Sequence, residues 1–536
     1  MPTLHWIGKD KVINHHQDVP FRLLDHQYGA LADGTQTTQP TGSGNQIIHG
    51  DNLEALKALL PRYEGQVKCI YIDPPYNTGE EGWVYNDNVN DPKIKKWLSQ
   101  VVGKEGEDLS RHDKWLCMMY PRLKLLHKLL AEDGAIFVSV DDNELASLCL
   151  LLSEIFGSSN RIATFIWEKR TNRENRKEVS YRHDYIVAYR KSSTAQGSNL
   201  KLLIMSAEAL SRYKNPDNDP RGEWKSDPAT AQAGHATQSQ FYTLVAPNGK
   251  KHKVQSGRCW IYTEDVMNEA IKDKRIWFGE SGNNVPRIKT YLNAKERGLV
   301  PETIWFANEV STNEAAKVEL KQIFGGRAAF ETPKPWQLIE RVLQVASDKD
   351  SVILDSFAGS GTTAHAVLNL NKEDGGNRKF ILIEMEDYAE HITAERVKRV
   401  MRGYGGQPGT GGSFDYLTLG EPVFTDSGEL NERAGLPGLR QYVYYAETKQ
   451  ALPPAAPVGA EADADNAAFL ALHDDTAYYF HYAPDAVTTL NHDFLATMRT
   501  RAGQYIIYAD NCLLTSEFMT QHGIIFKKIP RDISRF

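Results

Sequence analysis

The feature that most constrains the fold of this chain is an apolar run, Val67–Ile72, that ends at Asp73, Pro74, Pro75 and Tyr76. Valine, isoleucine and tyrosine favour a buried strand. The strand must stop at the two prolines, because proline has no backbone N–H to donate to a neighbouring strand. The sequence therefore predicts a carboxylate and an aromatic ring at the carboxyl edge of a strand, where open α/β sheets bind ligands.

The residue types of this turn place two hydrogen-bond acceptors, the Asp73 carboxylate and the Pro74 carbonyl, beside an aromatic ring. The two prolines restrict the backbone and keep both acceptors aimed. Tyr76 offers a face on which a flat ligand can stack. The alternative is an ordinary strand-to-turn junction, since Asp and Pro are common in turns, and four residues alone do not decide.

A glycine loop forms a second landmark. Val352–Asp355 is a predicted strand, the loop runs from Phe357 to Thr363, and a helix is predicted at Ala364–Leu370. Such a loop lets a ligand approach the backbone, with helix N–H groups facing it. It is not a P-loop, because no Lys-Ser/Thr pair follows Gly361.

Two further acids follow predicted strands. Glu384 ends the strand that begins at Phe380 and lies 23 residues after Gly361, a spacing that suits a carboxylate accepting ribose hydroxyls. Asp51 follows the predicted strand Gln46–His49 and forms a capping box with Glu54. A cofactor contact by Asp51 is a compatible alternative. Downstream of Glu384, we expect Asp387 to cap the next helix.

The alternation of predicted strands and helices indicates a doubly wound α/β fold. We divide the chain into an N-terminal arm and linker at 1–45, a catalytic half at 46–195, a β-rich insert at 196–330, a cofactor-binding half at 331–405 and a C-terminal interaction module at 406–536. Within the first segment, Gly29–Asn45 is predicted to be a flexible connection. The polar stretch Glu80–Ser110 is predicted to be a lid or substrate-contacting loop.

Charge distribution separates the middle of the chain from its end. The net charge is −7, yet residues 161–191 carry nine basic against four acidic residues, and residues 241–298 carry eleven against six. Residues 421–536 carry nine against fifteen. The middle can therefore lie on phosphates, with Asn283, Asn284, Arg287 and Lys289 suited to base edges and phosphates, while the acidic end is expected to contact protein. The alternative is that each of these charged stretches is simply an exposed, solvated surface.

Asp-Pro-Pro-Tyr at a strand end resembles the catalytic motif of the DNA amino-methyltransferases, which methylate the exocyclic nitrogen of adenine or cytosine. Its position before the glycine loop, with an insert between them, resembles the β group of these enzymes. Gly50–Glu54, the extension through Asn77 to Gly79, and Asp355–Thr363 resemble the modification subunits of type III restriction-modification systems. The resemblance covers about residues 46 to 405 and is specific at the two motifs.

The resemblance implies a Rossmann-like methyltransferase fold in permuted order, with S-adenosylmethionine as cofactor. Its implied catalytic residues are Asp73, Pro74, Pro75 and Tyr76. Its implied cofactor-binding residues are Asp51 near the adenine, Glu384 at the ribose, Lys334 at the carboxylate, and Phe357, Gly359, Gly361, Thr362 and Thr363 along the methionine end. Asp355, Ala358 and Ser360 complete the implied cofactor-binding set. Double-stranded DNA, a second copy of the chain and a restriction subunit are the implied partners.

Several classes of protein are disfavoured by the sequence. Five scattered cysteines without a Cys-x-x-Cys spacing indicate a reducing cytoplasm and no zinc site. No long apolar run or secretory signal is present, so no membrane span is expected. Cytosine C5 chemistry needs a cysteine that typically follows proline, and no cysteine here does.

Three functional hypotheses remain open. The first is a DNA amino-methyltransferase, with or without a nuclease partner; Asp before Pro-Pro-Tyr favours adenine N6 as its target, through the resemblance only, and cytosine N4 stays open. The second, of another class, is a DNA-binding specificity subunit whose methyl transfer is vestigial. The third is an RNA or protein methyltransferase.

Overall fold

The computed structural model describes residues 3–77, 108–173, 178–194, 200–293, 298–453 and 466–535. The loop predicted at Glu80–Ser110 lies outside them, except for its last three positions, which begin the helix Asp108–Leu129. The chain divides into a larger unit, Met1–Asn199 with Glu302–Phe536, and a smaller unit, Leu200–Pro301.

An eleven-stranded sheet forms the centre of the larger unit. Its strands in chain order are β1 (Arg22–Leu31), β2 (Gln36–Thr37), β3 (Gln46–His49), β4 (Val67–Ile72), β5 (Leu130–Val140), β6 (Arg161–Glu168), β7 (His183–Arg190), β8 (Ile304–Trp305), β9 (Val352–Asp355), β10 (Lys379–Glu384) and β11 (Ser413–Pro422). Across the sheet they run β8-β6-β7-β5-β4-β9-β10-β3-β11-β1-β2.

The centre of this sheet is parallel. Strands β5, β4, β9, β10, β3 and β11 are parallel neighbours, while β7 is antiparallel to both β5 and β6. After β4 the chain continues to β5 on one side, and after β9 it continues to β10 on the other. The crevice between β4 and β9 is therefore a switch point, where α/β sheets bind ligands.

Helices cover the sheet and complete the doubly wound architecture, as predicted. The longer ones are Asn52–Tyr63, Asp108–Leu129, Leu145–Phe156, Asn313–Ile323, Trp336–Ala346, Thr362–Asp374 and Glu395–Arg402. Shorter helices lie at Lys9–Val12, His15–Asp18 and Ala307–Val310. The strand interiors around the switch point, such as Ile70, Ile72 and Leu354, are fully buried, so the sheet ends at rigid positions.

The N-terminal segment is part of the sheet. The structure pairs Gly29, Ala30 and Leu31 of β1 with residues of β11 and adds β2 beyond them, so the flexible connection predicted at Gly29–Asn45 is wrong. The pairing partner lies almost four hundred residues along the chain. Local composition carries no signal for so distant a strand.

The C-terminal segment also differs from the predicted boundary. β11 lies between β3 and β1, so residues 413–422, assigned to the C-terminal module, belong to the central sheet. The module itself has a four-stranded sheet and a helix, Leu436–Thr448. Its strands are Phe469–His473, Thr476–Phe480, Gln504–Ala509 and Ile524–Lys528, with short helices at His492–Thr497 and Ser516–Gln521.

The insert is shorter than predicted. The compact unit ends at Pro301, and the following segment contributes β8, which pairs with β6, and the helix Asn313–Ile323. The smaller unit has a three-stranded sheet, a helix at Glu264–Lys272 and two short strand pairs. Its sheet contains Trp224–Pro228, Ile276–Trp277 and Arg287–Tyr291, and the pairs are Thr230–Gln232 with Arg258–Trp260 and Leu244–Val245 with Lys251–His252.

Lys289 has a structural position in the smaller unit. Its side chain is 5% exposed, and its ammonium group pairs with Asp217 and, at 2.7 Å, with Asp219. Arg221 also holds Asp219, and its hydrogen bonds are the first of several that lower the pKa of that carboxyl. The interpretation of Lys289 as a phosphate contact is therefore wrong, because a buried ion pair already uses its charge.

Within the described ranges, no helix is both long and apolar enough to cross a membrane.

Candidate active site

The two sequence landmarks line one cavity at the switch point. Ile70 in β4 lies opposite Leu354 in parallel β9, so Asp73 and the glycine loop leave the sheet at the same edge. The cavity has a volume of about 380 Å³. Its walls comprise Tyr71, Asp73, Pro74, Pro75, Tyr76, Asn77, Trp115, Phe330, Thr332, Pro333, Lys334, Asp355, Phe357, Ala358, Gly359, Ser360, Thr362, Thr363 and Tyr388.

Both carboxylate oxygens of Asp73 are held. Lys334 Nζ donates to Oδ2 at 2.5 Å, and the Tyr76 hydroxyl donates to Oδ1 at 2.8 Å. Lys334 Nζ also lies 4.9 Å from the centroid of the Tyr76 ring, within cation–π range. Burial raises the pKa of Tyr76 well above its usual value, so its hydroxyl stays a donor. These contacts fix the direction of the Asp73 carboxylate.

Two buried groups support the turn from behind. Trp115 Nε1 donates to the Pro75 carbonyl at 2.7 Å. Asn77, at a left-handed φ of 61°, donates through Nδ2 to Glu144 Oε1 at 2.5 Å. His112 Nδ1 lies 2.6 Å from the same oxygen. The sequence interpretation missed these residues, since contacts so far apart in sequence leave no local pattern.

Asp355 organises the glycine loop from within. Its Oδ1 accepts from the Phe357 N–H at 3.0 Å, and its Oδ2 accepts from the Thr363 hydroxyl at 2.5 Å. Burial raises the pKa of Asp355 to about 7. The Asp355 carboxyl group therefore joins the two ends of the loop. The same residue also lines the cavity.

Glycine is required at the far end of the loop. Gly361 has φ +80°, and a Cβ there would lie 3.0 Å from the Thr393 carbonyl oxygen. Gly359 has φ +52°, which also favours glycine. The loop then enters the helix Thr362–Asp374, whose first N–H groups have no partner within the helix.

Glu384 supports the loop from the next strand. Its Oε2 accepts from the Gly359 N–H at 2.7 Å, and its Oε1 accepts from the Glu386 N–H at 3.0 Å. The side chain is 1% exposed, and burial raises the pKa of Glu384 to about 7. Glu384 and Gly361 stand just outside the residues that line the cavity. The short helical turn after Glu384 has no side-chain cap, so the cap expected from Asp387 is wrong.

Asp51 caps a helix, as predicted. Its Oδ1 accepts from the Leu53 and Glu54 N–H groups at 2.9 and 3.0 Å. The Glu54 carboxylate binds Arg22 at 2.7 Å instead of the Asp51 backbone N–H, so the Glu54 half of the predicted capping box is wrong. The Arg22 contact helps tie β1 to this helix. Asp51 is not among the cavity-lining residues, and its cofactor contact remains a prediction. The adjacent Gly50 N–H donates to the Glu384 carbonyl at 3.0 Å, so these acids end neighbouring strands.

The sequence of the chain matches a known protein family and several named relatives. The family model described as DNA methylase (N6_N4_Mtase) matches residues 67–395. The type III restriction-modification enzyme StyLTI Mod subunit of Salmonella typhimurium is 36% identical over 408 residues, which cover 73% of this chain and 59% of that protein. The EcoP15I Mod subunit of Escherichia coli is 31% identical over 435 residues, covering 72% and 64%.

A third relative is similar over most of its own length. The type II methyltransferase M.KpnI of Klebsiella pneumoniae is 31% identical over 397 residues, which cover 69% of this chain and 89% of that protein. The chain thus spans about 60% of the two Mod subunits and nearly all of M.KpnI. With a family model that matches more than half of its residues and includes both walls of the cavity, the chain belongs to the DNA methylase family.

Proposed function

We propose that this protein is an S-adenosylmethionine-dependent DNA methyltransferase that modifies the exocyclic N6 of adenine. The observation that carries the proposal is the shared cavity of the Asp73 turn and the glycine loop. Asp rather than Ser before Pro-Pro-Tyr favours adenine over cytosine N4, through the resemblance alone. The name of the family model includes both N6 and N4, so the family match does not distinguish adenine N6 from cytosine N4.

The cavity suits the cofactor in size and chemistry. Its volume, about 380 Å³, lies within the range of small-molecule sites. Phe357 and Tyr388 offer aromatic surface, the helix beginning at Thr362 offers N–H groups, and Lys334 offers a cation for a carboxylate. Glu384 ends the adjacent strand and would take the ribose hydroxyls.

When bound, S-adenosylmethionine supplies an electrophilic methyl group. The nitrogen that receives it is a poor nucleophile, because its lone pair is delocalised into the base. Asp73 and the Pro74 carbonyl would accept the amino hydrogens and localise that lone pair, while Tyr76 would stack on the flipped base. Lys334 and Trp115 keep these groups aimed, so little reorganisation is needed at the moment of transfer.

Double-stranded DNA is the proposed substrate, and the unit Leu200–Pro301 is the proposed target-recognition region. One of its strand pairs carries three exposed lysines. Lys251 lies within the second strand of the pair, and Lys250 and Lys253 lie on either side of that strand. Such a basic run suits phosphate contacts. We propose that the protein acts in the cytoplasm, because five scattered cysteines without a Cys-x-x-Cys spacing suit a reducing compartment.

We further propose that the chain modifies DNA as one component of a restriction-modification system, with a second copy of itself and a restriction subunit as partners. Mod subunits are among its relatives, which supports this assignment. A solitary methyltransferase without a nuclease partner is the second candidate, because M.KpnI, to which the chain is similar over 89% of that protein, is named as a methyltransferase and not as a subunit. Light scattering of the purified protein, alone and with a co-expressed restriction subunit, separates these alternatives.

Digestion of methylated DNA to nucleosides tests the central proposal. Genomic DNA from a methylation-free host is incubated with the protein and S-adenosylmethionine carrying a labelled methyl group. We expect the label in N6-methyl-2′-deoxyadenosine, and no label with Asp73→Ala. Label in N4-methyl-2′-deoxycytidine would overturn the choice of adenine, and wild-type protein that leaves the DNA unlabelled would contradict the methyltransferase assignment.

A further inference from the structure

A buried arginine lies directly behind the glycine loop. Arg396, in the helix Glu395–Arg402, is 2% exposed. Its Nη1 donates to Ser360 Oγ and to Thr362 Oγ1, both at 2.8 Å. Ser360 and Thr362 both line the cavity. The guanidinium therefore holds two cavity-lining hydroxyl groups while staying out of the cavity itself.

The proton arrangement around Arg396 follows from its chemistry. A guanidinium can only donate hydrogen bonds, so the Thr362 oxygen must accept from Arg396. The Thr362 hydroxyl hydrogen is then available for the Lys334 carbonyl, which lies 3.2 Å away. Arg396 thus sets the position of the loop and also, through Thr362, the backbone of the residue that holds Asp73.

A second set of contacts ties the same segment down. Arg396 Nη2 lies 3.2 Å from His365 Nδ1, which must be the acceptor, and burial lowers the pKa of His365 well below its usual value. Tyr404, whose hydroxyl lies 3.4 Å from His365 Nε2, donates to Glu319 Oε1 at 2.8 Å. Trp336 Nε1 donates to the same oxygen at 2.9 Å. Trp336 follows Lys334 by two residues, so the network reaches the Lys334 segment from a second direction.

We propose that Arg396 is a positioning residue for the methionine end of the cofactor, an inference that rests on the proposed function. It fixes Thr362, which the resemblance places at the methionine end, and, through Thr362, the backbone of Lys334, which the resemblance places at the carboxylate of that end. It also holds Ser360 in the same loop. It leaves the adenosine end, next to Glu384, untouched. Loss of Arg396 should therefore weaken binding of the amino-acid part of the ligand selectively.

Calorimetry with two ligands tests this selectivity. S-adenosylhomocysteine carries the amino-acid end, and 5′-methylthioadenosine lacks it. For Arg396→Met we expect the Kd for S-adenosylhomocysteine to rise about tenfold or more, and the Kd for 5′-methylthioadenosine to change less than about twofold. Arg396→Lys keeps the buried charge but not the two-hydroxyl contact, so we expect an intermediate loss; it decides the outcome if Arg396→Met fails to fold.

The matched control is Arg399→Met, one turn along the same helix. Arg399 binds Glu395 at 2.7 Å and the Ile323 carbonyl at 3.0 Å, away from the loop, so its variant should bind both ligands as the wild type does. Equal weakening of both ligands by Arg396 variants, unchanged affinity for both, or the same selective loss in Arg399→Met would overturn the inference. A wild-type protein that binds neither ligand would instead contradict the proposed function.

Discussion

The two walls of the cavity are held in place in different ways. Most contacts of the glycine loop, residues 355–363, come from residues that are near in sequence: Asp355 binds Phe357 and Thr363, and Gly359 binds Glu384. The Asn52 side chain, 304 residues away, also binds the Ser356 carbonyl. The acidic turn, residues 73–77, contains the local Tyr76–Asp73 hydrogen bond and otherwise relies on more distant partners. Its contacts with Trp115 and Lys334 span 40 and 261 residues of sequence.

Because of this difference, substitutions in the two walls should separate cofactor binding from methyl transfer. The loop is held by Asp355 from within and by Glu384 and Arg396 from outside, and it forms the proposed cofactor wall of the cavity, so changes there should act on cofactor affinity. The turn has its backbone restricted by two prolines, but the direction of its carboxylate depends on side chains from other elements. Changes in those supports should lower the rate of transfer while cofactor affinity stays nearly constant.

Asp73→Ala should give the largest effect. Removal of the acceptor for the target amino group should lower kcat by about 10² to 10³ or more, by analogy with loss of a preorganised transition-state contact. Cofactor Kd should stay within about threefold of wild type. Labelled-methyl transfer and calorimetry measure the two quantities. The control is Asp142→Ala, which removes an acid that follows the neighbouring strand β5. An equal loss of kcat in both variants would contradict a specific role of Asp73 in methyl transfer.

Gly361→Ala should act on the other wall. At φ +80°, with Thr393 O only 3.0 Å from the added Cβ, the loop must shift, and we expect the cofactor Kd to rise about tenfold or more. Gly375→Ala is a matched control at the other end of the same helix, with φ +67° and nothing within 4 Å of its Cβ. If both variants bind cofactor equally well, loop geometry does not govern affinity.

Trp115→Phe should lower the rate moderately. The substitution leaves the Pro75 carbonyl without its buried hydrogen-bond donor, which lowers the free energy of unfolding by about 1–3 kcal/mol. The turn should then hold the Asp73 carboxylate and the Pro74 carbonyl less precisely. We expect kcat to fall about tenfold with cofactor Kd nearly unchanged. Trp305→Phe is the control, since Trp305 is equally buried and donates to the Glu302 carbonyl at 2.9 Å far from the turn. A rate loss in the control alone would count against the account.

Glu384→Gln should give the smallest effect, visible as a pH dependence. Burial raises the pKa of Glu384 from 4.5 to about 7, so the folded protein binds this proton more tightly than the unfolded chain does. Its contribution to stability is therefore greatest below pH 4.5 and is lost as pH rises to 7, by an amount on the order of 3 kcal/mol.

The comparison of melting temperatures isolates this residue. The Tm of Glu384→Gln minus that of wild type should become more positive between pH 5 and pH 8, because only the wild type loses the protonated carboxyl. A difference that is constant with pH, or that becomes more negative, would contradict the raised pKa. Calorimetric unfolding in a series of buffers provides the measurement.

The sequence predicted what is encoded locally. The strands that end at Asp73, Asp355 and Glu384, the glycine loop and the Asp51 cap follow from proline, glycine and hydrophobic spacing, and all of them form. The doubly wound order was also predicted from the alternation of elements, together with the family resemblance. The functional roles of these residues remain predictions.

Long-range pairings were not predictable in the same way. β11 joins the central sheet through β3, and β1 joins it through β11. Lys289 is neutralised by acids some seventy residues earlier, and Arg396 reaches Ser360 and Thr362 from another element. Each depends on which segments meet in three dimensions. A single sequence shows that an arginine or a lysine is present, but it does not show whether the folded protein pairs that residue with a buried partner.

A crystal structure of the protein with S-adenosylhomocysteine tests the central claim most directly. The account predicts that the homocysteine end lies along Gly359–Thr363, that the ribose reaches Glu384, and that the sulfur faces Asp73 across the cavity. A ligand bound outside this cavity, or bound with its sulfur turned away from Asp73, would contradict the claim that β4 and β9 bring the methyl donor and the target amino group together.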